Sequence, residues 1–136
     1  MTWFAWSLFS LACWGVWGIF PKLALQGLSW QQVFVIGSAS SFAVALGVAA
    51  VIRPSFALSP NLALPAVAAG ALGTLGVASL YVALSLGGRA SVVIPLTAAY
   101  PVLTAVLSVL FLREELDPAK LVAVVLFVAA TVLVAR

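Results

Sequence analysis

Lys22 is the first charged side chain in the sequence, and it stands directly behind Pro21 in the stretch WGVWGIFPKLAL, residues 14 to 25. An ammonium on a long stem can anchor a helix end among lipid headgroups, or attract a carboxylate or phosphate at a cavity mouth. Arg89, directly after two glycines, offers the same pair of roles. The other residues with chemistry to offer are rings and hydroxyls. Thr97, Pro101, Thr104 and Ser108 follow steps of four, three and four, with Tyr100 alongside, and so share a helical face. Gly70, Thr74, Ala78, Tyr81 and Ser85 share another, Gly37, Ser38 and Ser41 cluster, and Trp3, Ser10, Trp14, Trp17 and Pro21 follow a single stripe.

Glycines and small hydroxyl residues are the usual contacts between membrane helices, where they permit close approach. Bulky amphipathic rings pack poorly there. Trp14, Trp17, Tyr81 and Tyr100 therefore point to an aromatic-lined cavity, with Ser41, Thr74, Thr97 and Thr104 as its hydrogen-bonding groups. Pro21, Pro95 and Pro101 remove backbone donors inside apolar segments and are hinge candidates. Thr131 is the one hydroxyl of the last apolar segment.

Other chemistry is excluded by inventory. The chain has no histidine, a single cysteine (Cys13) and three acids, all between residues 114 and 117. No metal set, disulfide framework or nucleophile–base pair can be assembled, so neither an enzyme nor a cofactor is expected. The net charge of +3 is too small and scattered for nucleic acid. GALGTLG, residues 70 to 76, has glycines at phosphate-loop spacing, but no strand precedes it and no basic residue lies near, so helix packing is its better account.

Hydrophobic residues make up 65% of the chain and charged residues only 7%, against about 25% charged in a soluble domain. Its solvent is lipid. A secretory signal is not expected, because residues 1 to 12 lack a basic start. LFSLAC, residues 8 to 13, loosely resembles a lipoprotein cleavage site, yet Ser10 suits it poorly and the apolar run continues past it. At roughly 20 residues per span, the charges divide a single 136-residue domain into five transmembrane helices, near residues 3–20, 33–52, 62–84, 90–112 and 118–134. GLSWQQ (27–32), RPSFALSPN (53–61), SLGGR (85–89) and REELDPAK (113–120) are the connections. Asp117 makes a plausible N-cap before Pro118.

With five spans, Arg53, Arg113 and Lys120 fall on one side of the membrane and Lys22, Arg89 and Arg136 on the other. Three basic residues on each side leave orientation unchosen. Either the N-terminal amine and loop acids decide it, or the chain inserts both ways and pairs with an inverted copy of itself, giving an inverted repeat of ten spans.

The stretch PLTAAYPVLTAVLSVLFLREELDPAKLVAVVLFVAATVLVAR resembles the EamA-like module of the drug/metabolite transporter superfamily, with Pro101, Glu114 and Pro118 matching its pattern. WGVWGIFPKLALQGLS is similar to the first helix of that module at Trp14, Gly15 and Lys22. The resemblance implies an all-α integral membrane half-transporter of five helices that pairs as an antiparallel homodimer in the cytoplasmic (inner) membrane. It implies export or exchange of a small metabolite or drug-like compound by alternating access, through a cavity formed by the first four helices. The alternative is a non-transporting accessory subunit, or half of a lipid-carrier flippase. Related small multidrug exporters exchange protons through an acid in their first helix; here no acid precedes Glu114, which argues against that mechanism.

Overall fold

The computed structural model describes residues 2–55, 59–115 and 117–134, and all regular structure among them is helical. The chain divides into two compact units, one ending at Gly87 and the other starting at Gly88.

The first unit holds α1 (Trp3–Trp17), α2 (Phe20–Ala24), α3 (Trp30–Ile52) and α4 (Pro60–Ser85). The first apolar segment does not end at Phe20 as its sequence suggests; it runs to Ala24 with a break after Trp17. Pro21 causes the break. Its ring would collide with the carbonyl of residue 17, so the helix stops and restarts with Pro21 in the first turn of α2. The second segment starts at Trp30, three residues before the expected Val33. Ser29 and Gln32 form a reciprocal cap: the Gln32 N–H donates to Ser29 Oγ (3.3 Å) and the Ser29 N–H to Gln32 Oε1 (2.8 Å). That pairing satisfies two N–H groups that a helix start otherwise leaves open, so Trp30 and Gln31 become helical. The third segment likewise starts early, at Pro60, whose fixed φ suits a first turn. Pro65 lies inside α4 without ending it.

In this unit α3 packs along α4, and the short α2 bridges α1 and α4. Gly18, Pro21, Val33, Leu80, Tyr81 and Leu84 are buried, and they gather where α1 ends, α3 begins and α4 ends. Most other large apolar side chains are exposed, as they should be when the surrounding medium is hydrocarbon. A Cβ at Gly70, Gly73 or Gly76 would meet no atom within 4 Å, so the expected tight helix contact at these glycines is absent among the described residues.

The second unit holds α5 (Ala90–Thr97), α6 (Tyr100–Leu107), a π-helical turn (Ser108–Leu112) and α7 (Pro118–Val134). α7 packs against α5 and α6. Pro95 is accommodated within α5, whereas Pro101 repeats the Pro21 arrangement: the helix breaks at Ala98–Ala99 and restarts with Pro101 in its first turn. At the start of α7 the Asp117 carboxylate accepts the Lys120 N–H (2.9 Å) and lies 3.2 Å from the Lys120 ammonium, the expected cap. The backbone bond and then the side-chain bond to Lys120 hold the Asp117 carboxyl below its ordinary value.

Two helices end on arginine where glycine is usual. Arg53 after α3 and Arg113 after the π turn have φ of 50° and 55°, a left-handed backbone that costs an L-residue about 1 kcal/mol. Each places a cation at a helix C-terminus, the favourable end for positive charge.

Among the described residues four segments are long and apolar enough to cross a bilayer: Trp3–Ala24, Trp30–Ile52, Asn61–Ser85 and Ala90–Leu112. α7 has 17 residues, about 25 Å at 1.5 Å per residue, against roughly 30 Å of hydrocarbon.

Candidate functional site

At the end of the first unit where the buried residues gather, Trp17, Phe20, Pro21, Ala24, Leu28, Val33, Ile36, Gly37 and Tyr81 line an open-sided cavity of about 200 Å³. The break after Trp17 falls at its edge: Trp17 ends α1, and Phe20, Pro21 and Ala24 of α2 line it together with residues of α3 and α4. Trp17 and Tyr81 form its aromatic wall, with ring centroids 6.4 Å apart and planes tilted by 30°. Tyr81 is 4% exposed. Its hydroxyl lies opposite Gly37, where an added Cβ would stand 3.4 Å from Oη.

Lys22 closes the neighbouring corner. Its ammonium donates to the Leu84 carbonyl at 3.2 Å, in a partly buried bond across 62 residues of sequence. The last turn of α4 carries carbonyls without helical partners and the negative end of the helix dipole. A cation from α2 therefore docks there, tying α2 to α4, rather than serving only as a headgroup anchor. Gly87, at φ 100°, ends α4 in the left-handed conformation that glycine tolerates.

In the second unit, Tyr100, Pro101, Thr104, Ala105, Ser108, Val109 and Glu114 line an open groove of about 400 Å³. The π turn carries the chain round so that the N–H groups of Arg113 and Glu114 both reach the Ser108 carbonyl, the latter at 3.3 Å. Glu114, which sequence places in a polar connection, is thereby brought to the hydroxyl stripe of α6.

Of the expected cavity residues, the first unit brings together Trp17 and Tyr81, and the second Tyr100 and Thr104. Trp14, 63% exposed, does not line the first cavity. Nor do Ser41 and Thr74, whose hydroxyls donate to the carbonyls of Gly37 (3.0 Å) and Gly70 (2.8 Å) one turn earlier. Thr97 donates to the Ile94 carbonyl (2.9 Å) and lies off the groove. Thr104 lines the groove while bonding the Tyr100 carbonyl (3.2 Å). Hydroxyls spent on their own helices have their proton engaged and only lone pairs left for a ligand. Arg89 is exposed at the start of α5 without a side-chain cap bond. Sequence reasoning missed Phe20, Ala24, Leu28, Val33 and Ile36, apolar residues that nothing in composition distinguishes from lipid-facing ones. It also missed Glu114.

A family model described as the EamA-like transporter family matches residues 1–136. No curated protein and no solved structure matches the chain.

Proposed function

We propose, from the premise that the chain belongs to the EamA-like transporter family, that it exports or exchanges a small metabolite or drug-like compound by alternating access. The working unit is a dimer of two oppositely oriented copies in the cytoplasmic membrane, each contributing five spans with α7 as the short, peripheral fifth. The observation that carries the reading is the first-unit cavity, where α1, α2, α3 and α4 meet around Trp17 and Tyr81 in an otherwise lipid-facing chain. Concave, mostly apolar sites with few polar groups are how proteins hold small molecules. The breaks at Pro21 and Pro101 supply points where half-helices can tilt without disturbing whole spans. The equal division of basic residues, with Arg53, Arg113 and Lys120 against Lys22, Arg89 and Arg136, supports insertion in both orientations.

The test is saturable flux into sealed vesicles containing purified protein, combined with crosslinking of single-cysteine variants placed on opposite ends of the chain. Flux without the protein, or protein that carries nothing until another subunit is added, refutes transport by this chain alone.

A further inference from the structure

Buried polar groups in proteins are nearly always hydrogen-bonded, because leaving one unpaired in apolar surroundings is costly. Tyr81 avoids that cost by keeping open space beside its hydroxyl. Its side chain is 96% buried (4% exposed), yet its hydroxyl has no hydrogen-bond partner among the described residues. Among the described residues no fully enclosed side-chain oxygen or nitrogen is left without a partner, so Oη reaches the open space of the cavity it lines. Gly37 keeps the opposite wall free of a side chain at that point. The Trp17 ring lies at a shallow tilt to the Tyr81 ring, and none of the nine lining residues is charged.

Together these features describe a ligand. An uncharged wall excludes ions, since a charge brought there would lose hydration without gaining a countercharge. Aromatic and aliphatic walls favour a flat ring, held by stacked or edge contacts. An enclosed apolar protein cavity of about 150 Å³ accommodates benzene, so an open-sided cavity of about 200 Å³ has room for one ring with a small substituent. One polar group is needed, and only one, to pair with Oη.

We infer that the first-unit cavity binds a small neutral aromatic compound bearing a single hydrogen-bonding group, of the phenol or indole class, with that group paired to the Tyr81 hydroxyl. As the identity of the cargo this rests on the transporter reading; as a binding site it does not. The second-unit groove is larger, but its tyrosine is held less closely: Tyr100 is 54% exposed, against 4% for Tyr81.

The test uses the full chain in lipid nanodiscs and fluorine NMR with 4-fluorophenol, fluorobenzene, 4-fluorobenzoate and 4-fluorobenzylammonium, each corrected against empty nanodiscs. Saturable binding is expected for 4-fluorophenol, weaker binding for fluorobenzene, and none for the two ions. Tyr81→Phe, which removes one oxygen and keeps the ring, should weaken 4-fluorophenol about fivefold, the worth of one net hydrogen bond, and leave fluorobenzene unchanged. Gly37→Ala, which places a methyl 3.4 Å from Oη, should also weaken the phenol selectively. Equal affinity for phenol and fluorobenzene, an unchanged phenol affinity in Tyr81→Phe, or comparable binding of either ion overturns the inference. Saturable phenol binding with no flux of any compound refutes transport and leaves the site standing. Flux of another compound with no phenol binding does the reverse.

Discussion

Replacing Lys22 by methionine keeps a long apolar stem and removes the ammonium that reaches the Leu84 carbonyl at 3.2 Å. A hydrogen bond to a charged group contributes about 1.5–3 kcal/mol net. The lower end applies here, because the same carbonyl keeps a long bond from the Gly87 N–H at 3.4 Å and is not left bare. Leu84 is 1% exposed, so water cannot readily take the ammonium's place. A loss of about 1.5 kcal/mol corresponds to a little over tenfold in the equilibrium for opening α2 away from α4. Amide hydrogen exchange in nanodiscs reads this opening locally. Leu23 and Leu25 in and after α2, and Leu86 and Gly87 after α4, should exchange about tenfold faster in Lys22→Met. Amides near the middle of α3 should be unaffected, and Lys22→Arg should retain part of the protection. Unchanged exchange at those four amides, or uniform acceleration throughout the unit, refutes the tie between α2 and α4 and returns Lys22 to a headgroup anchor.

Trp17→Ala and Tyr81→Ala should each cut flux severalfold in reconstituted vesicles while the protein still inserts, whereas Val124→Ala and Leu133→Ala on α7 should leave substrate affinity unchanged. C-terminal topology reporters should show both orientations, and two lysines added beside Arg53 should bias the population to one; a population already facing one way contradicts the inverted dimer. The Asp117 carboxyl titrates below its ordinary 3.8 because Lys120 bonds its ionised form. Its support for the start of α7 is therefore complete above that value and disappears as pH falls through the lowered folded-state value; carboxyl NMR should show the low titration, and Asp117→Asn should abolish the pH dependence of Lys120 amide exchange. Pro101→Ala restores a backbone donor and should join α5 to α6, which spin-label distances across Ala98–Ala99 would report as a straighter segment.

Much of this protein follows from sequence because the bilayer makes few structures possible. A chain with 7% charged residues has to satisfy its backbone within helices, and its charges and prolines mark where those helices stop. The cap at Asp117 was legible for the same reason: capping is a local matter of one side chain and the next turn. Local chemistry also explains the misplaced starts at Trp30 and Pro60, since Ser29 with Gln32 and a first-turn proline are readable signals that outweigh polarity. What periodicity could not give was convergence. Trp14 and Trp17 follow one stripe, yet only Trp17 lines the first cavity, because that cavity lies where α1 gives way to α2 and Trp14 stands a turn before the junction. Ser41 and Thr74 occupy polar stripes but bond their own helices. Glu114 reads as part of a connection until a π turn returns it to the face of Tyr100 and Thr104. The Lys22 bond spans 62 residues, and no periodicity within one helix can anticipate a partner at the end of another. Sequence settled the medium and the helices; only tertiary packing decided which polar groups would be consumed by their own backbone and which, like the Tyr81 hydroxyl, would be held open in a cavity.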